Sequence, residues 1–331
     1  MKEAQSDKRK AVGVKLFPNH TIRTRSFKII QWIIVLTIFA FLGKMVLDNW
    51  NQVKEASFTF EVFPLLLSTL IFALSYFIQI WAWYLITLRL GIAISWGGTL
   101  EGWFYSQWGK YLPGKVWLLL GRIYYYESKG KPKKIISVAL YFETVTLLVA
   151  AGLIFLSTLP FFREMGPFYT GKQSWWLIFL FLLAFIFLHP RVLQKILNGF
   201  LLKFKRDPIS LSISYPNILW ILIVCIFVWV VEGFGFYLFI DSITPVSEKY
   251  ILFLTGALAI STTLGLIAIF APSGLGVREG ALVYLLSLMM ATPVAVVISI
   301  LSRIWMTLIE IGLIGMVYLT GRFRKGQEKN I

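Results

Sequence analysis

The sequence is poor in the residues that build disulfide-linked domains, metal sites and nucleotide-binding enzymes. Its 331 residues include one cysteine, Cys225, so an intrachain disulfide is impossible. The two histidines, His20 and His189, lack the spacing of metal ligands. Only 15% of the residues are charged, compared with about 25% in a typical soluble domain. No Walker sequence is present, so we do not expect ATP-driven transport by this chain alone.

Long apolar runs dominate the chain. Hydrophobic residues make up 58% of it, and the mean hydropathy is +0.75. Several uncharged runs approach or exceed the ~18 residues that indicate a membrane helix. We therefore predict an all-α polytopic membrane protein with about six full spans. These spans lie near residues 29–47, 63–86, 134–160, 174–189, 216–240 and 294–320.

Basic residues are distributed unevenly along the chain, which predicts its orientation. Of the 32 Lys and Arg residues, 25 lie in four segments, at 1–28, 87–134, 190–215 and 321–331. Because basic segments stay in the cytoplasm, we predict a cell-membrane protein with both termini inside. Residues 1–28 form a basic N-terminal segment, 29–320 the membrane domain and 321–331 a basic tail. Besides orienting the chain, the net charge of +16 would attract anionic lipid head groups. A nucleic-acid partner is not expected.

The stretch "APSGLGVREG", residues 271–280, interrupts a long apolar region. The segment that follows, 280–291, has only 12 residues before Thr292. As a helix it would reach ~18 Å, whereas the hydrocarbon core is ~30 Å thick. We therefore predict a re-entrant helical hairpin over 248–292. Its turn contains Pro272, Gly274 and Gly276, because glycine and proline suit a tight turn.

Residues 95–130 predict a second hairpin, which enters from the basic side. Two arms of about 13 residues, each too short to span the bilayer, flank Pro113 and Gly114. An interfacial belt is the alternative reading, since Trp and Tyr favour the head-group level. In that case Lys110, Lys115 and Arg122 would all lie among the head groups.

The two halves of the sequence match as an inverted repeat. In each half a span precedes a hairpin and another span follows it, with opposite directions in the membrane. Glu143 lies 30 positions after Pro113, and Arg303 lies 31 positions after Pro272. Inverted repeats with broken helices that meet near the midplane are a common design of secondary transporters.

Charged residues within apolar segments are the candidate site. A charge at the centre of a membrane helix costs about 2.5–3.5 kcal/mol on insertion scales, so such residues are functional candidates. They are Glu143, Glu232, Arg278, Glu279, Arg303 and Glu310. Arg303 and Glu310 are seven positions apart and share a helix face.

We expect Arg278 to bind a lipid phosphate, because the planar guanidinium donates two parallel hydrogen bonds. Glu279 would orient it or bind a cationic or hydroxylated head group. Arg122 would take a similar role at the cytoplasmic mouth. The alternative is that these charges pair internally and only hold the hairpins in register.

Two motifs carry a resemblance to a known family. "GKYLPGKVW" and the later "APSGLGVREG" resemble the lysylphosphatidylglycerol synthase transmembrane-region family, also described as flippase-like. The resemblance covers roughly residues 25–320. In the multiple peptide resistance factors of that family, such a membrane domain is linked to translocation of aminoacylated phospholipid, while a separate soluble domain performs aminoacyl transfer. The resemblance implies the lipid-handling part, without the synthase domain.

The expected function is therefore movement of a polar-headed lipid between leaflets. The lipid would be an aminoacylated phospholipid or a lipid-linked sugar, and anionic or polar-headed membrane lipids are the expected partners. We expect no catalytic residue, metal or cofactor. The alternatives are a membrane transferase, or a scaffold that presents lipid to a separate aminoacyl- or glycosyltransferase. The oligomeric state is left open by the sequence.

Cysteine labelling tests the predicted orientation. Single cysteines placed near Gly130 and Asn330 should react with membrane-impermeant thiol reagents only from the cytoplasmic side. Cysteines near Glu55 and Gly171 should react only from outside. Labelling near Gly130 from outside would contradict the inverted repeat.

Overall fold

The computed structural model is all α-helical in the residues that it describes. These are 58–111, 116–165, 188–203, 213–268 and 271–327, with isolated positions elsewhere. They contain nine α-helices. The helices are α1 Val62–Arg89, α2 Trp96–Gln107, α3 Val116–Ser128, α4 Lys133–Met165, α5 Pro190–Lys203, α6 Tyr215–Asp241, α7 Ile251–Ile267, α8 Val277–Leu286 and α9 Thr292–Gln327. The predicted all-α class is confirmed.

Within the described residues, five helical stretches are long and apolar enough to cross a membrane. They are Val62–Arg89, Lys133–Thr158, Tyr215–Asp241, Glu248–Ile267 and Thr292–Thr320. Four of them match predicted spans. The fifth contains α7, so the first arm of the hairpin predicted over 248–292 is itself long enough to span. The predicted spans 29–47 and 174–189 lie largely outside the described residues.

Helix α6 illustrates how the sequence produces these spans. It follows Ser214 and carries Pro216 in its first turn, where a missing backbone N–H costs no helical hydrogen bond. Its 27 residues contain large apolar side chains on all sides, and Trp220 and Phe227 remain 54% exposed. Such exposure is costly in water, so these side chains are suited to face lipid.

The long helices pack around α6. Helix α1 lies along α6, and α4 and α7 pack against both α6 and each other. Polar contacts join these apolar surfaces at a few points. The hydroxyl of Ser68 donates to the carbonyl of Gly235 at 2.8 Å, and the indole N–H of Trp229 donates to the carbonyl of Leu147 at 3.1 Å. Together these helices form the frame that holds the shorter ones.

The short helices flank two breaks in the helical chain. The first break lies between α2 and α3, and the second lies between α7 and α8. Helices α2 and α3 pack together, as do α7 and α8. Helix α8 has 10 residues and α3 has 13, or roughly 15 and 20 Å, so neither crosses a ~30 Å core alone. The 3-10 turn Trp108–Tyr111, at the first break, contacts the 3-10 turn Pro272–Gly274, at the second. Pro113 and Gly114 lie outside the described residues.

The second break is a close approach of backbone to backbone. Ser273, Gly274 and Gly276 have positive φ angles of 52°, 69° and 84°. A Cβ atom on Gly274 would lie 2.5 Å from the carbonyl oxygen of Gly265 in α7. Only glycine fits this contact, in agreement with the tight turn predicted here. The turn therefore holds the start of α8 against the end of α7.

Candidate functional site where the helix breaks meet

Six charged side chains gather where the two breaks meet. They come from the first turn, from α6, from α8 and from α9. The residues are Lys110, Glu232, Arg278, Glu279, Arg303 and Glu310, which we call the central cluster. All but Lys110 were predicted from the sequence as site residues.

Arg303 and Glu279 form an ion pair that locks the second break. Arg303 Nη1 lies 2.7 Å from Glu279 Oε1, and Arg303 Nη2 donates to the carbonyl and hydroxyl oxygens of Ser273 at 2.9 and 3.0 Å. Glu279 Oε2 accepts the backbone N–H of Gly276 at 2.6 Å. The pair therefore ties α9 to both the turn and the first residues of α8. The expected contact between Glu279 and its neighbour Arg278 is not formed, because consecutive helical residues point in different directions.

Arg278 is buried, yet the two acceptors that it contacts are uncharged. The residue is only 8% exposed. Nε donates to the hydroxyl of Thr262 at 3.3 Å, and Nη2 lies 2.9 Å from the sulfur of Met306. In the part of the chain that the structure describes, no carboxylate forms an ion pair with it. Glu279 and Glu232 act on it electrostatically at longer range.

Glu310 on α9 pairs with Lys110 of the first turn. The Glu310 side chain is 2% exposed and that of Lys110 is 27% exposed. Arg303 and Glu310 lie on one helix, as predicted, but each binds a different element. Arg303 binds the second break and Glu310 binds the first. Helix α9 thus connects the two breaks through its charged side chains.

Glu232 projects from α6 toward α1. Its carboxylate accepts a hydrogen bond from the Ser75 hydroxyl of α1 at 3.3 Å. Arg278 and Lys110 act on it electrostatically. Within the described residues it forms no ion pair. Arg278 and Glu232 are therefore the two members of the central cluster with no ion pair in that part of the chain.

Arg122 and Glu143 form a separate buried pair between α3 and α4. Arg122 Nη1 lies 2.5 Å from Glu143 Oε2, and Arg122 Nε donates to the Ser106 hydroxyl at 3.2 Å. The guanidinium lies over the rings of Trp83 and Trp103, 4.7 and 5.4 Å from their centroids. The residue is 1% exposed, so this arginine, expected at an open mouth, is enclosed by protein.

The two buried pairs are charge-reversed counterparts. In each, one member lies on the second short helix of a pair and the other on the long helix that follows. The first pair places Arg122 on α3 and Glu143 on α4, while the second places Glu279 on α8 and Arg303 on α9. Glu143 and Arg303, which lie 30 and 31 positions after Pro113 and Pro272, are the members of these pairs on the long helices.

Sequence reasoning missed the partners of these charges. Lys110 was noted only as a possible head-group contact, and Ser75 and Thr262 were not considered. Their signal in the sequence is weak, because hydroxyl residues are common in membrane helices and usually bond to their own backbone. The charges themselves were found because charge is rare in an apolar run.

The fold and the cluster define a multi-pass α-helical membrane protein with a charged site inside its helical frame. The chain matches the family model for the lysylphosphatidylglycerol synthase transmembrane region over residues 29–315. It belongs to that family, as its motifs predicted. No curated protein matches the sequence significantly.

The Arg122–Glu143 pair gives a stability prediction. Glu143→Leu leaves Arg122 buried without a counter-charge and should lower the free energy of unfolding by about 3–5 kcal/mol. The double variant Arg122→Met/Glu143→Leu removes both charges and should regain most of that loss. Thermal unfolding of the detergent-solubilised protein measures both effects.

A surface pair provides the control for this measurement. Glu127 and Lys133 are 2.9 Å apart, with side chains 41% and 65% exposed. Glu127→Leu should therefore cost less than about 1 kcal/mol. Equal melting temperatures for Glu143→Leu and the wild type would show that the buried pair does not stabilise the fold.

Proposed function

We propose that this protein moves a lipid with an anionic phosphate in its head group between the two leaflets of the cell membrane. Arg278 binds the phosphate. The observation that carries the proposal is a buried guanidinium at a helix break, with no ion-pair partner in the described residues. An aminoacylated phospholipid and a lipid-linked sugar phosphate both present such a group.

Hydrogen-bond chemistry favours a phosphate at Arg278. A guanidinium carries five N–H donors in a planar fork. In the structure two of its nitrogens contact a hydroxyl and a thioether, Thr262 and Met306, and a thioether is a weak acceptor. A phosphate oxygen is a charged acceptor and bonds about twice as strongly. Arg278 also lies in the first turn of α8, where the helix dipole favours an anion.

Partial exposure of the central cluster supports access for a head group. The Lys110 and Arg303 side chains are 27% and 16% exposed, whereas their partners Glu310 and Glu279 are almost completely buried. Lys110 and Arg303 thus line the more accessible side of the cluster. A head group could pass along this side while its acyl chains stay in the surrounding lipid.

The helix packing supports an inverted repeat of two re-entrant hairpins as the framework for this path. If α1–α4 correspond to α6–α9, the contacts between helices fall into matching pairs. The packing of α4 on α7 corresponds to that of α9 on α2, and the packing of α3 on α4 corresponds to that of α8 on α9. The two breaks contact each other, as expected for elements near a pseudo-two-fold axis.

In this proposal the hairpins enter the membrane from opposite sides and meet at the central cluster. Both termini and the basic loops lie in the cytoplasm. The cluster then offers polar partners to a head group at the depth where crossing is most costly. Membrane lipids are the only partners that the proposal requires.

Replacement of Arg278 tests the proposal. Arg278→Ala removes a charged hydrogen bond of about 1.5–3 kcal/mol, so lipid movement should slow on the order of ten- to a hundredfold. Arg278→Lys keeps the charge without the fork and should give an intermediate rate. The measurement is quenching of a fluorescent phosphatidylglycerol by a leaflet-selective reagent in vesicles that contain the purified protein.

The matched control is Arg191→Ala, which removes an exposed arginine on α5 and should leave the rate unchanged. Melting temperatures of all variants separate loss of transport from loss of folding. If Arg278→Ala folds and moves lipid at the wild-type rate, Arg278 does not bind the head group. If the wild type binds lipid but never moves it, the protein presents lipid rather than translocating it.

A further inference from the structure

Phosphate binding at Arg278 leaves one member of the central cluster without a role. Glu232 lies well inside the 27-residue helix α6, and the hydroxyl of Ser75 is its hydrogen-bond donor. In the described residues it forms no ion pair. A carboxylate inside a membrane helix is costly, so its charge must be balanced by something nearby.

The groups around Glu232 identify what balances it. Helix α1 contributes the Ser75 hydroxyl, and α7 contributes Thr255, which lies beside Gly233, the next residue along α6. None of these groups is a cation. The cations that act on Glu232 come from α8 and from the first turn.

Those two cations differ in their other contacts. Lys110 is already paired with Glu310, whereas Arg278 has no ion pair in the described part of the chain. Arg303, the third cation of the cluster, is paired with Glu279. The positive charge that balances Glu232 is therefore mainly that of Arg278.

We propose that Glu232 is a proton-binding site coupled to the head-group site at Arg278, so that one proton crosses with each anionic lipid. The inference rests on the proposed function. A phosphate at Arg278 uses the positive charge that had balanced Glu232. A proton from solution then forms an O–H bond on the Glu232 carboxylate, which restores the balance.

The coupling has a direct thermodynamic consequence. If each lipid crosses only together with the proton bound at Glu232, a proton gradient must bias the movement of the lipid. The lipid carries one negative charge and the proton carries one positive charge, so the two cross together as a neutral unit. The lipid should therefore accumulate in the leaflet that faces the more alkaline side.

Vesicles with an imposed pH difference test this consequence. They contain three parts phosphatidylcholine to one part phosphatidylglycerol, a trace of fluorescent phosphatidylglycerol and the purified protein. For a difference of one pH unit the ratio between leaflets should approach about tenfold at one proton per lipid. The ionophore nigericin, which collapses the gradient, should return the lipid to an equal distribution.

Glu232→Gln is the informative variant, because it keeps the shape but cannot bind or release the proton. We expect it to give the same distribution of labelled lipid with and without the gradient. Glu248→Gln makes the same chemical change at an exposed position and should respond as the wild type does. Melting temperatures show whether each variant is folded.

A second measurement covers the case in which Glu232→Gln moves no lipid. When short-chain phosphatidylglycerol is added to the wild type in weakly buffered detergent solution, the protein should take up about one proton per molecule. The variants Glu232→Gln and Arg278→Ala should take up none. Uptake by Glu232→Gln equal to that of the wild type would overturn the proposal.

The outcomes separate this inference from the function on which it rests. Equal leaflet distributions in the wild type despite the gradient, together with rapid lipid movement, would overturn proton coupling but leave translocation intact. An unchanged response to the gradient in Glu232→Gln would also overturn it. Absence of lipid movement by the wild type under every condition would overturn both proposals.

Discussion

The cost of placing charge inside an apolar protein controls the structure of this molecule. A charge without a partner is expensive there, so each buried charge needs an opposite charge, hydrogen-bond donors or a ligand. Glu143 and Arg122 satisfy each other, with the Trp103 indole adding a hydrogen bond at 3.2 Å. Glu279 and Arg303 do the same and also hold the turn at Ser273. These pairs fix the short helices to the long ones.

The same constraint explains why the helix breaks lie where they do. Non-helical backbone in the membrane must be surrounded by protein or line a cavity. The second break packs Gly274 against Gly265 and receives donors from Arg303. The first break contacts the second and is tied to α9 through Lys110 and Glu310. Helix α9 thus supplies a charged partner to each of the two breaks.

Hydropathy was sufficient to predict four of the five long apolar helices in the described residues, because apolar length is a local property of the sequence. It did not identify Glu248–Ile267 as long enough to span. The turn at Gly274 was also predictable, since glycine and proline rarely occur together within an apolar run without a structural reason. The ion pairs were not predictable. Glu279 has Arg278 as its sequence neighbour, yet it binds Arg303, which is 24 positions away. Such choices depend on which helix faces which, and that is decided by packing across the whole domain.

The membership of the chain in the lysylphosphatidylglycerol synthase transmembrane-region family is consistent with the lipid-binding role that we propose for this site. The central cluster combines two satisfied pairs with two charges, Arg278 and Glu232, that form no ion pair in the described residues. The ion pairs stabilise the fold, whereas in the described residues Arg278 and Glu232 have no ion pair that must break before they bind a ligand. We regard this division between structural and exchangeable charges as the basis of the proposed transport.

Photo-crosslinking of a bound lipid tests the central claim most directly. The probe is a phospholipid with a photoreactive group in its head group, and digestion with mass spectrometry locates the labelled peptides. The account predicts label in the segments around Thr262, Arg278 and Lys110, with loss of that label in Arg278→Ala. Label confined to lipid-facing residues such as Trp220 and Phe227, unchanged in Arg278→Ala, would contradict it.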